Sequence, residues 1–333
     1  MSITYQILGK PSEDNALLVS IDSGQKLEHL LFDCGEGCLE KVPVGIIQKI
    51  DHLFFSHLHM DHIAGFDSFF RSNYSRNSRP NHIWGPPQTA RIIQHRFEGF
   101  MWNLHGSMSC PWIVSDIYPQ EYTSYRYELQ EAFSVSHHMQ TTQYQNTFFE
   151  TDTYEISVFT LDHHTPSLAY LIREKPSLNI DIQRLSALGL TSGPWLKEFK
   201  ELKEGYVVSQ SNGTSYTFKE LRKSLLIETP GDSIAYLTDF FSDKQTIKCV
   251  AGFLNSCQTM VCEAHYRNSD IELAKRNYHS TTGLTASIAS KARVNKLVLI
   301  HVSDRYDLKQ YGEILNEARE IFPSSCFSAK WKL

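Results

Sequence analysis

Short apolar runs recur along the chain, and each stops at a residue able to hold a metal ion or a proton. His29–Leu30–Leu31–Phe32 stops at Asp33, and Leu53–Phe54–Phe55 runs into Ser56 and His57. Ile156–Ser157–Val158–Phe159–Thr160–Leu161 stops at Asp162 and His163. Ile234 to Thr238 ends at Asp239, Met260–Val261–Cys262 at Glu263, and Leu297–Val298–Leu299–Ile300 at His301. Brief apolar runs bounded by polar residues read as buried strands. Strands of one sheet that all finish in Asp, Glu or His would gather those side chains along one edge, beyond the carboxyl ends, where ligand sites of α/β sheets lie. Helices are expected between the runs, over Asp270–Asn277, Ala286–Lys291 and Tyr311–Ile321, the last ending before Pro323.

Two stretches break the rhythm. Residues about 173 to 228 carry Gly189, Gly193–Pro194, Gly205 and Asn212–Gly213 with little periodic hydrophobicity, and read as an arm inserted into one domain spanning 1–333. Residues 115–152, rich in Tyr, Gln, Thr and Ser, suggest no definite element. The whole chain, 333 residues with 41% hydrophobic and 21% charged, excludes a disordered or fibrous protein. No apolar run approaches the roughly 18 residues of a membrane span. The N-terminus lacks the basic and apolar regions of a secretory signal, and seven scattered cysteines do not make a disulfide framework, so a cytoplasmic protein is expected.

A net charge of −5 excludes a globally basic, nucleic-acid-coating surface, so any such surface must be local. Arg173 to Lys223 holds nine basic against six acidic residues, although Lys197, Lys200 and Lys203 alternate with Glu198, Glu201 and Glu204. The unusual count is histidine, at 15. Ser56-His57-Leu58-His59-Met60-Asp61-His62 is an H-x-H-x-D-H cluster. Histidines at i and i+2 of an extended segment turn toward one ion. The Asp and His that follow must point elsewhere, which suits a second ion alongside. Imidazole with carboxylate favours zinc, with manganese or iron as the alternatives where the coordination is oxygen-rich. His163, Asp239 and His301 at strand ends are the natural partners.

These motifs resemble the metallo-β-lactamase superfamily and, within it, the ribonuclease Z family of tRNA 3′-processing endonucleases. Leu31-Phe32-Asp33-Cys34-Gly35-Glu36-Gly37 is similar to the family's first motif, in which the Asp supports the metal loop. His57, His59, Asp61 and His62 match the histidine motif. His163 in Leu-Asp-His-His-Thr-Pro-Ser-Leu-Ala-Tyr matches the third, in preference to His164. Asp239 matches the bridging aspartate and His301 the last ligand. The resemblance implies a four-layer αβ/βα sandwich and two Zn2+ ions. One would sit on His57, His59 and His163, the other on Asp61, His62 and His301, with Asp239 on both. It implies hydrolysis of precursor tRNA by a hydroxide held between the ions, which Asp61 would orient or deprotonate, leaving a 3′-hydroxyl.

Cys262-Glu263-Ala264-His265 and His279-Ser280-Thr281 resemble the family's H-E-A-T and H-S-T pair, with Cys262 and His265 departing from it. The resemblance assigns Glu263 and His279 as a proton relay to the leaving oxygen. Ala187 to Pro194 resembles the family's RNA-gripping arm, with Thr191 where a proline is usual. Gly193, Pro194, Lys197 and Lys200 would then contact RNA phosphates. A homodimer is the family expectation. The runner-up function is a phosphodiesterase of small, cyclic-nucleotide-type substrates on the same centre. His137–His138 reads as a polar loop, and Cys34-x3-Cys38 lacks the four ligands of a structural zinc site. Ser233 and Ser303 lack a nucleophile-elbow context. Phe97, Phe100 and Trp102 read as core.

Overall fold

The apolar runs lie in strands whose bounds differ from theirs by one to three residues: Leu27–Phe32, Ile50–Phe54, Tyr154–Asp162, Ser233–Leu237, Thr259–Glu263 and Lys296–Ile300. The computed structural model describes residues 2–103, 108–200, 207–209 and 214–331. The strands do not share one sheet, as the sequence pattern suggested, but two. An eight-stranded sheet takes the first eight strands in chain order, from Ser2–Leu8 to His137–Gln143. A seven-stranded sheet runs in the order Ser325–Phe327, Lys296–Ile300, Thr259–Glu263, Ser233–Leu237, Pro166–Glu174, Tyr154–Asp162, Thr147–Glu150. The middle of the first sheet, Leu27–Phe32 through Pro111–Ile117, is parallel, and so are the four strands from Ser233–Leu237 to Ser325–Phe327. Parallel strands are covered on both faces and read as unbroken apolar runs.

Three apolar layers follow from this. Phe32, Phe54, Tyr170, Tyr236, Val261 and Val298 lie in the cluster shared by both sheets. Helices Phe66–Asn73 and Thr89–Glu98 contribute Phe66, Phe70, Ile93 and Phe97 to the cluster that includes Leu31 and Leu53 of the first sheet. Helices Lys244–Leu254, Thr282–Ala292 and Leu308–Ile321 contribute Ile247, Val250, Ile288 and Ile314 to the one with Leu237 and Met260. The result is the expected helix–sheet–sheet–helix sandwich, whose two sheets bring their strand ends to one edge.

Residues 115–152 are mostly strand: Pro111–Ile117, Glu121–Glu128, His137–Gln143 and Thr147–Glu150. His137 and His138 therefore belong to an edge strand and not to a loop. Phe97 is buried, but Phe100 is 45% exposed, so only part of that aromatic group is core. Among the described residues no helix is long and apolar enough to cross a membrane.

The chain divides into two compact units, one of Ser2–Arg173 with Asp232–Leu333 and the other of Glu174–Gly231. The second has a small apolar cluster of its own, Leu185, Leu190, Phe199, Phe218, Leu221 and Leu225. Its helices are Ile182–Ala187, Trp195–Lys200 and Phe218–Leu225, the last opened by a Thr217–Glu220 capping box.

Candidate metal centre

Asp33 follows its strand in a left-handed backbone, φ 57°, and is fully buried. It accepts four hydrogen bonds. Ser56 N–H reaches Oδ1 at 2.7 Å, while Ser56 Oγ (2.7 Å), His62 Nδ1 (2.8 Å) and the Tyr236 hydroxyl (2.8 Å) reach Oδ2. The histidine loop is also latched through its backbone, Cys34 N–H to His62 O and Gly65 N–H to Cys34 O, both 2.8 Å. That approach requires glycines, because a Cβ on Gly65 would sit 2.1 Å from the Gly35 oxygen and one on Gly35 2.4 Å from that of Asp61.

The loop presents its ligands with their tautomers fixed. The Ser56 hydroxyl donates to Asp33, so it accepts from His57 Nδ1 at 3.1 Å. His62 Nδ1 donates to Asp33, and His163 Nδ1 donates to the Tyr278 carbonyl at 2.8 Å. With Nδ1 carrying the proton, Nε2 of each ring is the free ligand atom. Asp239 follows Ser233–Leu237 with φ 55°, and His301 follows Lys296–Ile300 with φ 51°. Such backbone at non-glycine residues costs about 1–3 kcal/mol and gathers at functional sites.

Two groups result. Ligand atoms of His57, His59, His163 and Asp239 lie within 4.8 Å of one another, and so do those of Asp61, His62, Asp239 and His301. Asp239 Oδ2 is 3.3 Å from His57 Nε2, 3.4 Å from His62 Nε2 and 3.7 Å from His163 Nε2. Its Oδ1 is 3.3 Å from His301 Nδ1. Asp61 Oδ2 is 3.1 Å from His62 Nε2 and 3.3 Å from His301 Nε2. His57 Nε2 and His62 Nε2 are buried with no hydrogen-bond partner among the described residues. Buried imidazole nitrogens aimed at carboxylates, with no donor to meet them, fit divalent cations.

The electrostatics agree. Burial opposes charge on Asp61, but the neighbouring His301 and His62 rings outweigh it and hold the carboxyl well below its usual range. Burial likewise loses to His301, His62 and His57 at Asp239, which stays ionised. Burial lowers His62 and His301, yet Asp239 and Asp33 lift the first well above an ordinary imidazole, and Asp239, Asp61 and Glu263 lift the second to about 10. His59 and His163 are lowered, chiefly by burial. The cluster demands positive charge.

Next to it lies the Glu263 pair. Glu263 Oε1 accepts from Phe240 N–H (2.8 Å) and Ser280 N–H (3.2 Å), and Oε2 from His279 Nδ1 (2.8 Å). Burial would raise Glu263, but His279 brings it down to about 2, and Glu263 in turn raises His279 against burial.

Asp33, His57, His59, Asp61, His62, His163, Asp239, Glu263, His279 and His301 thus come together. His164 does not join them and packs at a tilt against Tyr278, ring centroids 3.7 Å apart and planes 40° from parallel. Gly193, Pro194, Lys197 and Lys200 lie in the Glu174–Gly231 unit. There Gly193 O and Pro194 O accept from Leu196 and Lys197 N–H at 3.1 Å each, and Lys200 Nζ donates to Asn179 Oδ1 at 3.4 Å. Lys203, Glu201, Glu204, Gly205 and Asn212–Gly213 fall outside the described residues. Sequence reasoning missed Tyr236 on Asp33, the Tyr278 carbonyl on His163, and Asn15, whose Oδ1 accepts His301 N–H at 3.0 Å. None of the three carries a local motif.

Two sheets in a four-layer sandwich with histidines and aspartates at their joined strand ends define a metallo-β-lactamase fold. Solved structures share it. The metallo-β-lactamase fold protein YhfI of Bacillus subtilis matches 98% of this chain and 96% of its own at TM-score 0.57 and 13% identity. The short form of human tRNase Z matches 92% and 94% at TM-score 0.52 and 19% identity. In sequence the chain is 42% identical over 329 residues to Ribonuclease Z of Deinococcus radiodurans, 99% of this chain and 98% of the relative. It belongs to the ribonuclease Z family. It also falls in the family described as Anti-Pycsar protein Apyc1, whose model matches residues 10–186. That match takes in Asp33, the histidine motif and His163, and stops short of Asp239, Glu263, His279 and His301.

Proposed function

We propose that this protein is a metal-dependent endoribonuclease that cuts precursor tRNA at the 3′ end of the tRNA body. The observation that carries this reading is the Glu263–His279 pair held at 2.8 Å next to two ligand groups that share Asp239. Membership in the ribonuclease Z family supports it. His57, His59 and His163 would hold one ion and Asp61, His62 and His301 another, with Asp239 on both. Imidazole and carboxylate donors suit zinc, and manganese next. When bound, two such ions polarise a phosphate and lower the pKa of water.

Asp61, whose side chain is partly open to solvent, orients the attacking water. The water oxygen bonds to phosphorus as the bond to the 3′ oxygen breaks, so the trailer keeps the phosphate and the tRNA body keeps a 3′-hydroxyl. With Nδ1 committed to Glu263, His279 delivers a proton from Nε2 to the departing oxygen. Gly193, Pro194, Lys197 and Lys200 contact RNA phosphates from an inserted arm, about residues 173–228, of a single-domain chain. The enzyme works as a cytoplasmic homodimer.

The test is cleavage of a precursor tRNA bearing a 3′ trailer, mapped to the nucleotide, with zinc- or manganese-loaded protein and an Asp61→Ala control. One cut near the discriminator base, lost in the control, is expected. Intact RNA together with brisk hydrolysis of a cyclic nucleotide would overturn the reading.

A further inference from the structure

A third group, Glu263, His265, His279 and His301, also brings its ligand atoms within 4.8 Å of one another. It does not read as a third ion cage. The Glu263 carboxylate is already taken by two backbone N–H groups and His279. His265 Nδ1 lies 3.0 Å from the His301 carbonyl, which can only accept, so Nδ1 carries the proton and offers no lone pair. What distinguishes His265 is its ring, which lies flat on that of His279, centroids 3.9 Å apart and planes 10° from parallel.

The hydrogen bond through Nδ1 to Glu263 anchors one atom of the His279 ring, and the small tilts it tolerates, which carry Nε2 with them, are limited by what packs against the ring faces. On one neighbour the His163 ring meets it at 61°, centroids 4.8 Å apart, which gives little resistance to rotation. The parallel contact with His265 does resist it. His265 is itself held by the His301 carbonyl and by Tyr266, whose ring meets it edge-on at 74° with centroids 4.7 Å apart. Tyr266 is fixed in turn by Asn277 Nδ2, which donates to its hydroxyl at 2.6 Å.

We propose that His265 is a positioning residue for the proton donor: its ring is the plate that fixes the plane of His279, and so aims Nε2 at the departing 3′ oxygen. This rests on the endonuclease reading above. It concerns the one step in which a poor leaving group needs a proton, so it separates two kinds of substrate. An RNA alkoxide departs only with the proton from His279, whereas p-nitrophenolate departs without one.

The experiment compares zinc-loaded wild type, His265→Ala and His265→Phe on precursor tRNA and on bis(p-nitrophenyl) phosphate, with the zinc content of each measured. His265→Ala should lower kcat on RNA about tenfold or more with KM unchanged, since small misplacements of a catalytic group cost up to about a hundredfold. Turnover of the activated ester and zinc content should stay at wild-type levels. His265→Phe keeps a flat ring and should restore most of the RNA rate. Parallel losses on both substrates, an unchanged RNA rate, or a Phe variant as slow as Ala would each overturn the assignment. If wild type cuts no RNA, the endonuclease reading falls and this inference falls with it; an error in this inference alone leaves wild-type cleavage intact.

Discussion

Asp33→Asn is the most informative single change, because it removes one charge and one acceptor with almost no change of shape. The carboxylate accepts from Ser56 N–H on one oxygen and from Ser56 Oγ, His62 Nδ1 and Tyr236 on the other. An amide has one oxygen to offer and two protons to place. If its NH2 faces Ser56 N–H, donor meets donor across a 2.7 Å contact that the backbone cannot reverse. An unmet buried donor costs about 1–3 kcal/mol of stability. If the NH2 faces the other way, the Ser56 and Tyr236 hydroxyls can turn and accept, but His62 Nδ1 must give up its proton. The proton then moves to Nε2, the atom directed at Asp61 and Asp239. Losing the outer partner of a metal-bound histidine typically costs about 10–100-fold in affinity, or roughly 1.4–2.7 kcal/mol. Both orientations remove the negative charge that helps the loop face two cations. The assay is zinc titration of chelator-stripped protein against a chromophoric competitor, run beside urea unfolding. The variant should fold, unfold at lower urea, and bind zinc about 10–100-fold more weakly. Wild-type zinc affinity in a folded variant would refute the tautomer argument outright.

Two alanine variants should separate metal holding from proton transfer. Asp239→Ala should lose bound metal and RNA cleavage together, read by mass spectrometry of dialysed protein. His279→Ala should keep its metal and lose about 10²–10⁴ in rate, the usual contribution of a positioned acid. Far from the centre, burial pushes His82 down to about 4 and His52, stacked on it at 4.7 Å, well below an ordinary imidazole. Both are therefore neutral in the fold, while the unfolded chain takes up protons below its ordinary value of 6.5. Stability is thus full above that value and is lost as pH falls toward 4, with His82 alone accounting for about 2 kcal/mol by pH 5. Urea melts near pH 7 and near pH 5 should show the loss, and His82→Phe should remove its own share of it while that of His52 remains. Phe199→Ala should cost about 3–5 kcal/mol within the Glu174–Gly231 unit. Hydrogen exchange should then rise there, with zinc affinity unaltered.

Much of the centre was legible because its residues end parallel, doubly covered strands. Such strands are written as uninterrupted apolar runs, so Phe32–Asp33, Leu237–Asp239 and Ile300–His301 announce both the element and its terminus. The opposite case is His137–Gln143, an edge strand in which only Thr142 is partly covered, so no buried face imposes alternation. The Glu174–Gly231 helices run six to eight residues, too few turns for a 3.6 period to show. Outer partners were hidden for another reason. Tyr236 meets Asp33 across 203 positions and Asn15 meets His301 across 286, contacts that only the packed sheets create. His265 stood in the sequence as a departure from a motif, and its meaning depends on a ring geometry that spacing does not encode.

The left-handed backbone at Asp33, Asp239 and His301 has a practical consequence for anyone improving this protein. Glycine adopts that conformation freely, so Asp239→Gly and His301→Gly would each relieve local strain and remove a buried ionisable group. A library ranked by melting temperature alone would enrich such changes and return hardier molecules with an empty centre. Thermostabilisation has to hold these three junctions fixed and draw its gains from elsewhere, since here robustness and chemistry compete for the same positions.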